Sequence, residues 1–323
     1  MDNIHTLEKE IASLKEKLST IQNLIYLESG KIEKGSIIKK NDYDIQVFNG
    51  KYNDKSISMK EFPTMKILND LFWDFSQEIK KATKTSHPNV PHFYGVYFDN
   101  IHVYLVYELI KGKSLKKKCV DLNLKEKVGL LVKIVKIICD LHDRQLSHKG
   151  LRTSKFIIEE SNNVFLKELG DSDYDKGSCP NKQTSEDERN FCAYYAPEKL
   201  TEDFEDDEDE VKKQDTDSES LKKAIEQDCK FDVWSLGCII SEICSGVIPW
   251  SNYDNNKDDT KKHASLKINK LVGYLMDKKE FPIPSELTNE LKDILSGCFK
   301  INIENRISSK ELLERLEKYY DII

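Results

Sequence analysis

The fold of this chain is limited most strongly by nine residues, His-Lys-Gly-Leu-Arg-Thr-Ser-Lys-Phe at 148–156. Before them, apolar residues recur with the helical period over Leu122–His142, which predicts a long helix buried along a broad face. After them, Phe156–Ile158 and Val164–Leu166 predict the two strands of a short hairpin. The nine residues are therefore predicted to form a loop between a long buried helix and a small hairpin.

The segment before that helix has a strand-like pattern. Short alternating runs are separated by turns from Lys31 to Lys111, which predicts a small antiparallel sheet with one helix. The predicted elements are two strands within Gly35–Tyr52, a strand at Ser56–Phe62, a helix at Phe72–Ala82, and strands at Phe93–Phe98 and His102–Glu108. Residues 112–323 are mostly helical in pattern. The predicted fold class is α+β, with a sheet domain at 31–111 and a helical domain at 112–323.

Residues 1–30 form a separate N-terminal segment with heptad spacing. Its apolar residues are alternately three and four apart: Ile4, Leu7, Ile11, Leu14, Leu18, Ile21 and Ile25. This pattern predicts a coiled-coil-like helix over residues 1–29 that stops near Gly30. Two hypotheses follow. The helix either joins copies of the chain into a homo-oligomer through residues 1–29 or folds back on its own domain.

Motifs after the loop follow a fixed order. They are Glu168-Leu169-Gly170, Ala196-Pro197-Glu198, Asp232-Val233-Trp234-Ser235-Leu236-Gly237, and Asn302–Ser308, which contains Arg306. In this order they resemble the D-F-G, A-P-E, D-x-W-S-x-G and C-terminal arginine motifs of the protein kinase family, and 148–156 resembles the catalytic loop H-R-D-L-x-x-x-N. The resemblance covers about residues 31–320. It implies a bilobal protein-kinase-like fold, with a β-sheet N-lobe and a helical C-lobe.

Finer similarities point within the family. Leu-Arg-Thr-Ser at 151–154, Gly-Lys-Tyr at 50–52 and Cys298 are most similar to the tyrosine-kinase-like group. The replaced catalytic loop and the preceding helix distantly resemble the mixed-lineage kinase domain-like proteins.

The resemblance also implies a nucleotide pocket in the sheet domain. Lys60 matches the lysine that contacts the nucleotide phosphates, and Glu78 matches its acidic partner on the following helix. Tyr107 lies at the position of the gatekeeper. Val47 and Ser58 are the other residues implied to line the pocket.

Several positions that carry phosphoryl chemistry hold other residues. Lys149 and Gly150 replace the Arg and the proton-accepting Asp of the loop, and Lys155 replaces the Asn that binds a second magnesium. Glu168 stands in place of the metal-binding Asp, so it is only a weak candidate for a metal ligand, and Leu169 takes the place of the Phe. The three glycines of the phosphate loop are replaced by Lys40, Asp42 and Ile45, which argues against tight ATP binding.

Residues that support the fold in the family are kept, among them His148, Asp232, Glu198 and Arg306. The resemblance also implies a contact between Glu198 and Arg306. This contrast predicts a pseudokinase, not an enzyme, that acts as a signalling scaffold or conformational switch. Its expected partners are proteins, such as another kinase or a signalling effector. The alternative is a divergent serine/threonine kinase that transfers the ATP γ-phosphate to protein hydroxyls. No cofactor is firmly indicated; ATP, with or without magnesium, is the one that the resemblance implies.

Composition sets further limits. The net charge of -7 argues against a nucleic-acid partner, and no apolar run is long enough for a membrane span, which predicts a cytoplasmic protein. The eight cysteines form no C-x-x-C pair and are expected to be free thiols. An insertion at about 201–228 begins with eight acidic residues in ten and is predicted to be a solvated, disordered loop, with binding of a basic partner as the alternative. The segment before it, Asp171–Tyr195, offers Ser178, Thr184 and Ser185 as candidate phosphoacceptors.

Overall fold

The computed structural model describes residues 2–40, 45–167, 191–198, 218–250 and 281–323. These residues divide into two compact units. The first unit contains the chain up to Gly112 together with residues 165–167, and the second contains residues 113–164 and the described residues from 191 onward.

The first unit is built on a five-stranded antiparallel sheet in the order β1-β2-β3-β5-β4. Its strands are β1 (Ile32–Lys40), β2 (Gln46–Tyr52), β3 (Lys55–Pro63), β4 (Phe93–Phe98) and β5 (His102–Glu108). The turn between β2 and β3 is the pair Asn53 and Asp54, both with positive φ, which is the geometry that a two-residue hairpin requires. After β3 come the short helix α2 (Thr64–Lys66), a π-helical turn (Ile67–Leu71) and α3 (Phe72–Lys84).

Strand alternation gives the sheet two buried faces. One face packs under α3 and contributes Phe62, Val96, Val103 and Leu105 to a core with Phe75 and Ile79 of that helix. The opposite face holds a second cluster: Leu27, Phe48, Ile57, Met59, Tyr104 and Val106. Successive residues of β3 therefore point alternately into the two clusters.

The N-terminal helix, α1 (Asp2–Leu18), belongs to the first of these clusters. Leu14 and Leu18 are fully buried there, so the structure supports the helix folded back on its own domain and gives no support to a coiled coil. The prediction that the helix continues to residue 29 is wrong. The hydroxyls of Ser19 and Thr20 bond back to carbonyls of the last turn, and Asn23 adopts a positive φ that ends the helical path. A homo-oligomer through residues 1–29 remains a prediction.

The second unit is mainly helical. Its elements are β6 (Lys113–Ser114), α4 (Leu115–Lys118), α5 (Leu124–His142), β7 (Phe156–Ile158), β8 (Val164–Leu166, which ends in the first unit), α6 (Ser218–Ser245), α7 (Asn289–Cys298) and α8 (Ser309–Ile322). A capping box between Asn123 and Glu126 starts α5. The centre of α6 is almost fully buried, with Trp234 at 0% exposure, and α5 and α8 both pack against this helix.

One part of the predicted acidic loop is helical. Residues 218–228 form the first turns of α6, which corrects the expectation of a solvated loop over that stretch. The reason is local composition, since Leu, Lys, Ala, Glu and Gln all favour a helix there and the acidic run has already ended. Residues 201–217 lie outside the described residues, as do Asp42, Glu168-Leu169-Gly170, Ser178, Thr184 and Ser185.

Burial keeps the described cysteines unreactive. Six of them are free, and burial raises the pKa of Cys119 to about 11 and that of Cys298 to about 12. These thiols stay protonated near neutral pH. Among the described residues, none of the helices has both the length and the apolar content that crossing a membrane requires.

Candidate kinase site

One face of the sheet in the first unit gathers the predicted pocket residues. Val47 of β2 lies directly opposite Lys60 of β3, and Ser58 of β3 lies directly opposite Tyr107 of β5. Residues that face each other across antiparallel strands share a side of the sheet, as do residues two apart on one strand. All four side chains therefore lie on the same face.

Glu78 reaches this face from α3. Its carboxylate accepts hydrogen bonds from the Lys60 ammonium at 3.2 Å and 3.1 Å, one to each oxygen. The Tyr107 hydroxyl donates to the same carboxylate at 3.3 Å. The two charged side chains are only 12% and 8% exposed, so the pair is shielded from solvent and strengthened by the lower local dielectric. The lysine is thus held in a fixed position with one side of its ammonium neutralised.

The phosphate-loop positions contrast with this preserved pair. Lys40 ends β1, and Ile45 is 2% exposed and packed in the core beneath α3. Position 45 thus carries a side chain that packs in the core, where the family motif has a glycine.

In the second unit, the loop at 148–156 is held from below by Asp232 of α6. The backbone N–H groups of His148 and Lys149 donate to its two carboxylate oxygens at 2.6 Å and 2.7 Å. His142, at the end of α5, bonds the same carboxylate at 3.1 Å. Complete burial by itself raises the pKa of Asp232, but the hydrogen bond and charge of His142, with the charge and backbone N–H of His148, lower it below the ordinary value. The carboxylate is therefore charged and fully used in fixing the loop.

The same loop carries the substituted positions. Gly150 donates its N–H to Nδ1 of the buried His148 at 3.2 Å and has no side chain with which to accept a proton. Lys149 adopts a positive φ, and its ammonium pairs with Asp228 at 2.5 Å. Lys155 is 1% exposed, at the end of a short 3₁₀ turn (Thr153–Lys155). The loop thus keeps its backbone anchors while its chemical groups differ.

The donor set does not fit a second magnesium ion. Lys155 stands where the motif has a metal-binding asparagine, and an ammonium offers no lone pair and repels a cation. Within the described ranges, no three His, Cys, Asp or Glu side chains come together as metal ligands. No step of the chemistry is therefore assigned here to a metal held at position 155.

The expected contact between Glu198 and Arg306 is present. The guanidinium donates to both carboxylate oxygens, at 2.6 Å and 3.0 Å, in a bidentate arrangement. Arg306 is fully buried, donates also to the carbonyls of Lys230 and Lys300, and lies 5.1 Å from the ring of Trp234. This arginine joins the Ala196-Pro197-Glu198 segment to the helical core of the second unit.

Comparison with known proteins agrees with this architecture. The model of the protein kinase domain matches residues 46–316, which is most of the chain. The chain belongs to the protein kinase family.

Curated relatives of this kinase domain are distant. It is 28% identical over 245 residues to human mitogen-activated protein kinase kinase kinase 4, covering 74% of this chain and 13% of that protein. It is 23% identical over 311 residues to CBL-interacting serine/threonine-protein kinase 12 of Arabidopsis thaliana, covering 94% of this chain and 55% of the relative. A third relative, serine/threonine-protein kinase cds1 of Schizosaccharomyces pombe, is 22% identical over 250 residues, covering 74% and 46%. The chain thus spans about half or less of the length of these relatives.

These findings correct the prediction that the chain is not an enzyme. A protein kinase domain with relatives named as kinases indicates an enzyme of that family. Membership also implies ATP and magnesium as the cofactors of the family in general. The sequence prediction gave the replaced residues at 150 and 155 too much weight against the domain as a whole.

Two further interactions of the kinase domain were missed by sequence reasoning. His142 bridges Asp232 to Ser309 at the start of α8, with Nδ1 at 2.8 Å from the serine hydroxyl. Tyr194 hydrogen-bonds Glu242 of α6 and lies 3.3 Å from the Thr153 hydroxyl of the loop. The helical period marked His142 only as the last residue of a helix, and no local signal joins residues that are 41 or more positions apart.

Proposed function

We propose that this chain is a divergent serine/threonine protein kinase that transfers the γ-phosphoryl group of ATP to protein hydroxyls. The observation that carries this proposal is the shielded Lys60–Glu78 ion pair, bonded through both carboxylate oxygens. Lys60 is assigned to the nucleotide phosphates, Glu78 to holding that lysine, and Val47, Ser58 and Tyr107 to the lining of the pocket. Their common face on the sheet supports the assignment.

The missing carboxylate at position 150 is compatible with slow transfer. Phosphoryl transfer proceeds through a loose transition state, and the protein contributes mostly positioning and charge neutralisation. A general base contributes about 10²–10⁴-fold, so a kinase without one retains the rest of its catalysis. In this proposal the proton of the acceptor hydroxyl leaves to water as the oxygen–phosphorus bond forms and the bond to ADP breaks.

The test uses the whole chain with ATP labelled in its γ-phosphate and a general acceptor protein such as casein, beside Lys60→Ala. We expect slow labelling that the substitution abolishes. We also expect ATP to raise the thermal midpoint of the unsubstituted chain, because a ligand at a hundredfold excess over its Kd adds about 2.7 kcal/mol. No labelling together with no shift would refute the proposal. A shift without labelling would also refute transfer, and would favour a nucleotide-responsive switch that acts on protein partners.

Finer assignments rest on fewer residues. The tyrosine-kinase-like group is supported by residues 151–154 and Cys298, while the named relatives include a mitogen-activated protein kinase kinase kinase and a CBL-interacting serine/threonine-protein kinase. A cytoplasmic location and protein partners belong to the same proposal. Phosphorylation of a panel of peptides that differ only in serine, threonine or tyrosine would decide the acceptor.

A further inference from the structure

The N-terminal segment, residues 2–27, lies outside the part of the chain that matches the kinase family model, yet it is part of the core around Glu78. Leu14 and Leu18 are fully buried and Ile21 is 7% exposed in the cluster that also contains Phe75 and Ile79. Because residues three and four apart share a helix face, Phe75, Glu78 and Ile79 all lie on the buried side of α3. Leu14, Leu18 and Ile21 therefore pack in the same core as the face of α3 that carries the glutamate, whereas Leu27 packs in the cluster on the opposite face of the sheet.

A series of contacts links this core to Lys60. The rings of Phe75 and Phe62 meet edge to face, with centroids 5.2 Å apart. The Lys60 ammonium lies 5.4 Å from the centroid of the same Phe62 ring. Both partners of the ion pair thus sit beside aromatic residues of the cluster that α1 completes.

The start of α3 directly follows a π-helical turn over Ile67–Leu71, and Leu71 at its N-cap position supplies no side-chain hydrogen bond to the first turn. The Lys17 ammonium at the end of α1 lies 5.2 Å from the ring of Phe72, the first residue of α3. Contact with α1 therefore takes part in positioning this end of the helix.

The other end of the N-terminal segment is fixed to the sheet. Val96 of β4 donates to the carbonyl of Ile25 at 2.8 Å, and Leu27 donates to the carbonyl of Val96 at 2.9 Å. The Tyr26 hydroxyl reaches back to the carbonyl of Lys15 at 3.3 Å. The segment is thus hydrogen-bonded to the sheet at its C-terminal end, and the end of α1 contacts the first residue of α3.

We infer that residues 2–27 are a positioning device for the Lys60–Glu78 ion pair, with Leu14 and Leu18 as positioning residues. The packing of α1 holds α3 where Glu78 reaches Lys60. The inference deepens the proposed function, because it assigns control of the same pair to a segment outside the family model. Loosening α1 shifts α3 toward positions in which the pair is broken, without unfolding the sheet.

The test measures the reactivity of Lys60 directly, in the whole chain. Trace acetylation with acetic anhydride is quantified by mass spectrometry for Lys60, with exposed Lys55 of the same strand as the internal reference. We expect Leu18→Ala to raise the relative labelling of Lys60 about threefold or more, because a broken pair exposes the ammonium. Leu18→Met approximately conserves the side-chain volume, so we expect the relative labelling of Lys60 in this variant to equal that in the unsubstituted chain.

A matched control is Ile57→Ala. Ile57 is equally buried in the same unit but belongs to the cluster on the opposite face of the sheet. We expect this variant to lose stability without a change in the relative labelling of Lys60. Equal increases in Leu18→Ala and Ile57→Ala would show only general loosening and would overturn the inference, as would no increase in Leu18→Ala.

The readout separates this inference from the proposed function. Lysine acetylation is measured without nucleotide or acceptor protein. A chain that binds no ATP therefore still shows whether the N-terminal segment positions the Lys60–Glu78 pair. If the unsubstituted chain binds ATP, we expect Leu18→Ala to raise the apparent KM for ATP more than it lowers kcat, since the fraction of molecules with an intact pair falls.

Discussion

The two units of this kinase domain keep different features of the family. In the first unit a pair of side chains is intact, since Lys60 and Glu78 meet through both carboxylate oxygens in a shielded place. In the second unit a framework is intact, since Asp232 holds the loop through backbone N–H groups. The side chains that this loop presents, at positions 150 and 155, have changed.

The difference arises because the loop is held through backbone atoms, whereas the ion pair is made by side-chain atoms. Backbone N–H groups are the same for every residue except proline, so a loop anchored through them tolerates new side chains. An ion pair depends on two particular side chains and is lost when either changes. The second unit could therefore vary its chemistry without losing its shape, whereas the first unit could not vary Lys60 or Glu78 without losing the pair.

The largest expected effect comes from returning a carboxylate to the loop. Gly150 is outside the left-handed region of φ, so an aspartate can adopt its backbone conformation. We expect Gly150→Asp to raise the rate of phosphoryl transfer about 10²–10⁴-fold, the usual contribution of a general base. The measurement is kcat for a protein acceptor at saturating ATP.

Gly150→Asn is the matched control, because it has the same size but cannot take the proton. The ATP-induced shift in thermal midpoint is expected to be equal in all three proteins. If the asparagine variant is accelerated as much as the aspartate variant, the contrast between the two units does not rest on a missing base.

The next effect concerns the framework of the second unit. Removing one partner of a buried, hydrogen-bonded ion pair costs about 3–5 kcal/mol, and Arg306→Met removes the guanidinium that donates to Glu198 and to two carbonyls. The free energy of unfolding is measured in urea from tryptophan fluorescence, since Trp234 lies beside the arginine. The labelling of Lys60 in the first unit is expected to stay unchanged.

Arg315→Met serves for comparison. Its guanidinium pairs with Glu311 at 2.7 Å on a surface where both side chains are more than a third exposed, and such pairs contribute about 0–1 kcal/mol. Similar losses in the two variants would mean that the buried pair is not special, and would weaken the picture of a framework kept by internal bonds.

The smallest effect is a pH dependence. The pKa of Asp232 is lowered in the folded state, so the stabilisation it provides is present above its unfolded pKa and is lost as the pH falls through the folded value. We expect the stability of the second unit to rise with pH across the acid range, and Asp232→Asn to flatten that rise. Asp293→Asn, at a position 79% exposed, is expected to leave the slope as it was. A slope unchanged in Asp232→Asn would assign the acid sensitivity to other carboxylates.

Local pattern predicted the elements of this fold closely. The strands β4, β5, β7 and β8 lie where alternation placed them, and α3 and α5 differ from prediction by only two residues at one end. Motif order also brought Lys60 to Glu78 and Glu198 to Arg306, because each pair occupies fixed places in a known sequence of motifs. Both depend on information that is local or ordered along the chain.

The features that the sequence did not predict depend on contacts between segments that are distant in the chain. The wrong prediction about enzymatic activity has another cause, because it relied on single substituted residues. Heptad spacing at Leu14 and Leu18 indicates an apolar seam but does not say whether a second chain or the core of the chain's own first unit covers it. The bridge from His142 to Asp232 and Ser309 joins three distant segments, and no local pattern marks it. The prediction that the chain is not an enzyme was wrong because it was drawn from individual substitutions, whereas family membership follows from the whole domain.

The glycine at position 95 has a consequence for solubility. Gly95 has a φ of 141°, and a Cβ there would collide with the backbone oxygen of Ile25. The glycine lets residues 25–27 lie against β4, which would otherwise be the open edge of the five-stranded sheet. Unpaired edge strands recruit other strands and promote aggregation. A side chain at position 95 would therefore displace the N-terminal segment from the sheet and expose the unpaired edge of β4. We expect a Gly95→Val protein to precipitate during refolding at concentrations where the unsubstituted chain stays in solution.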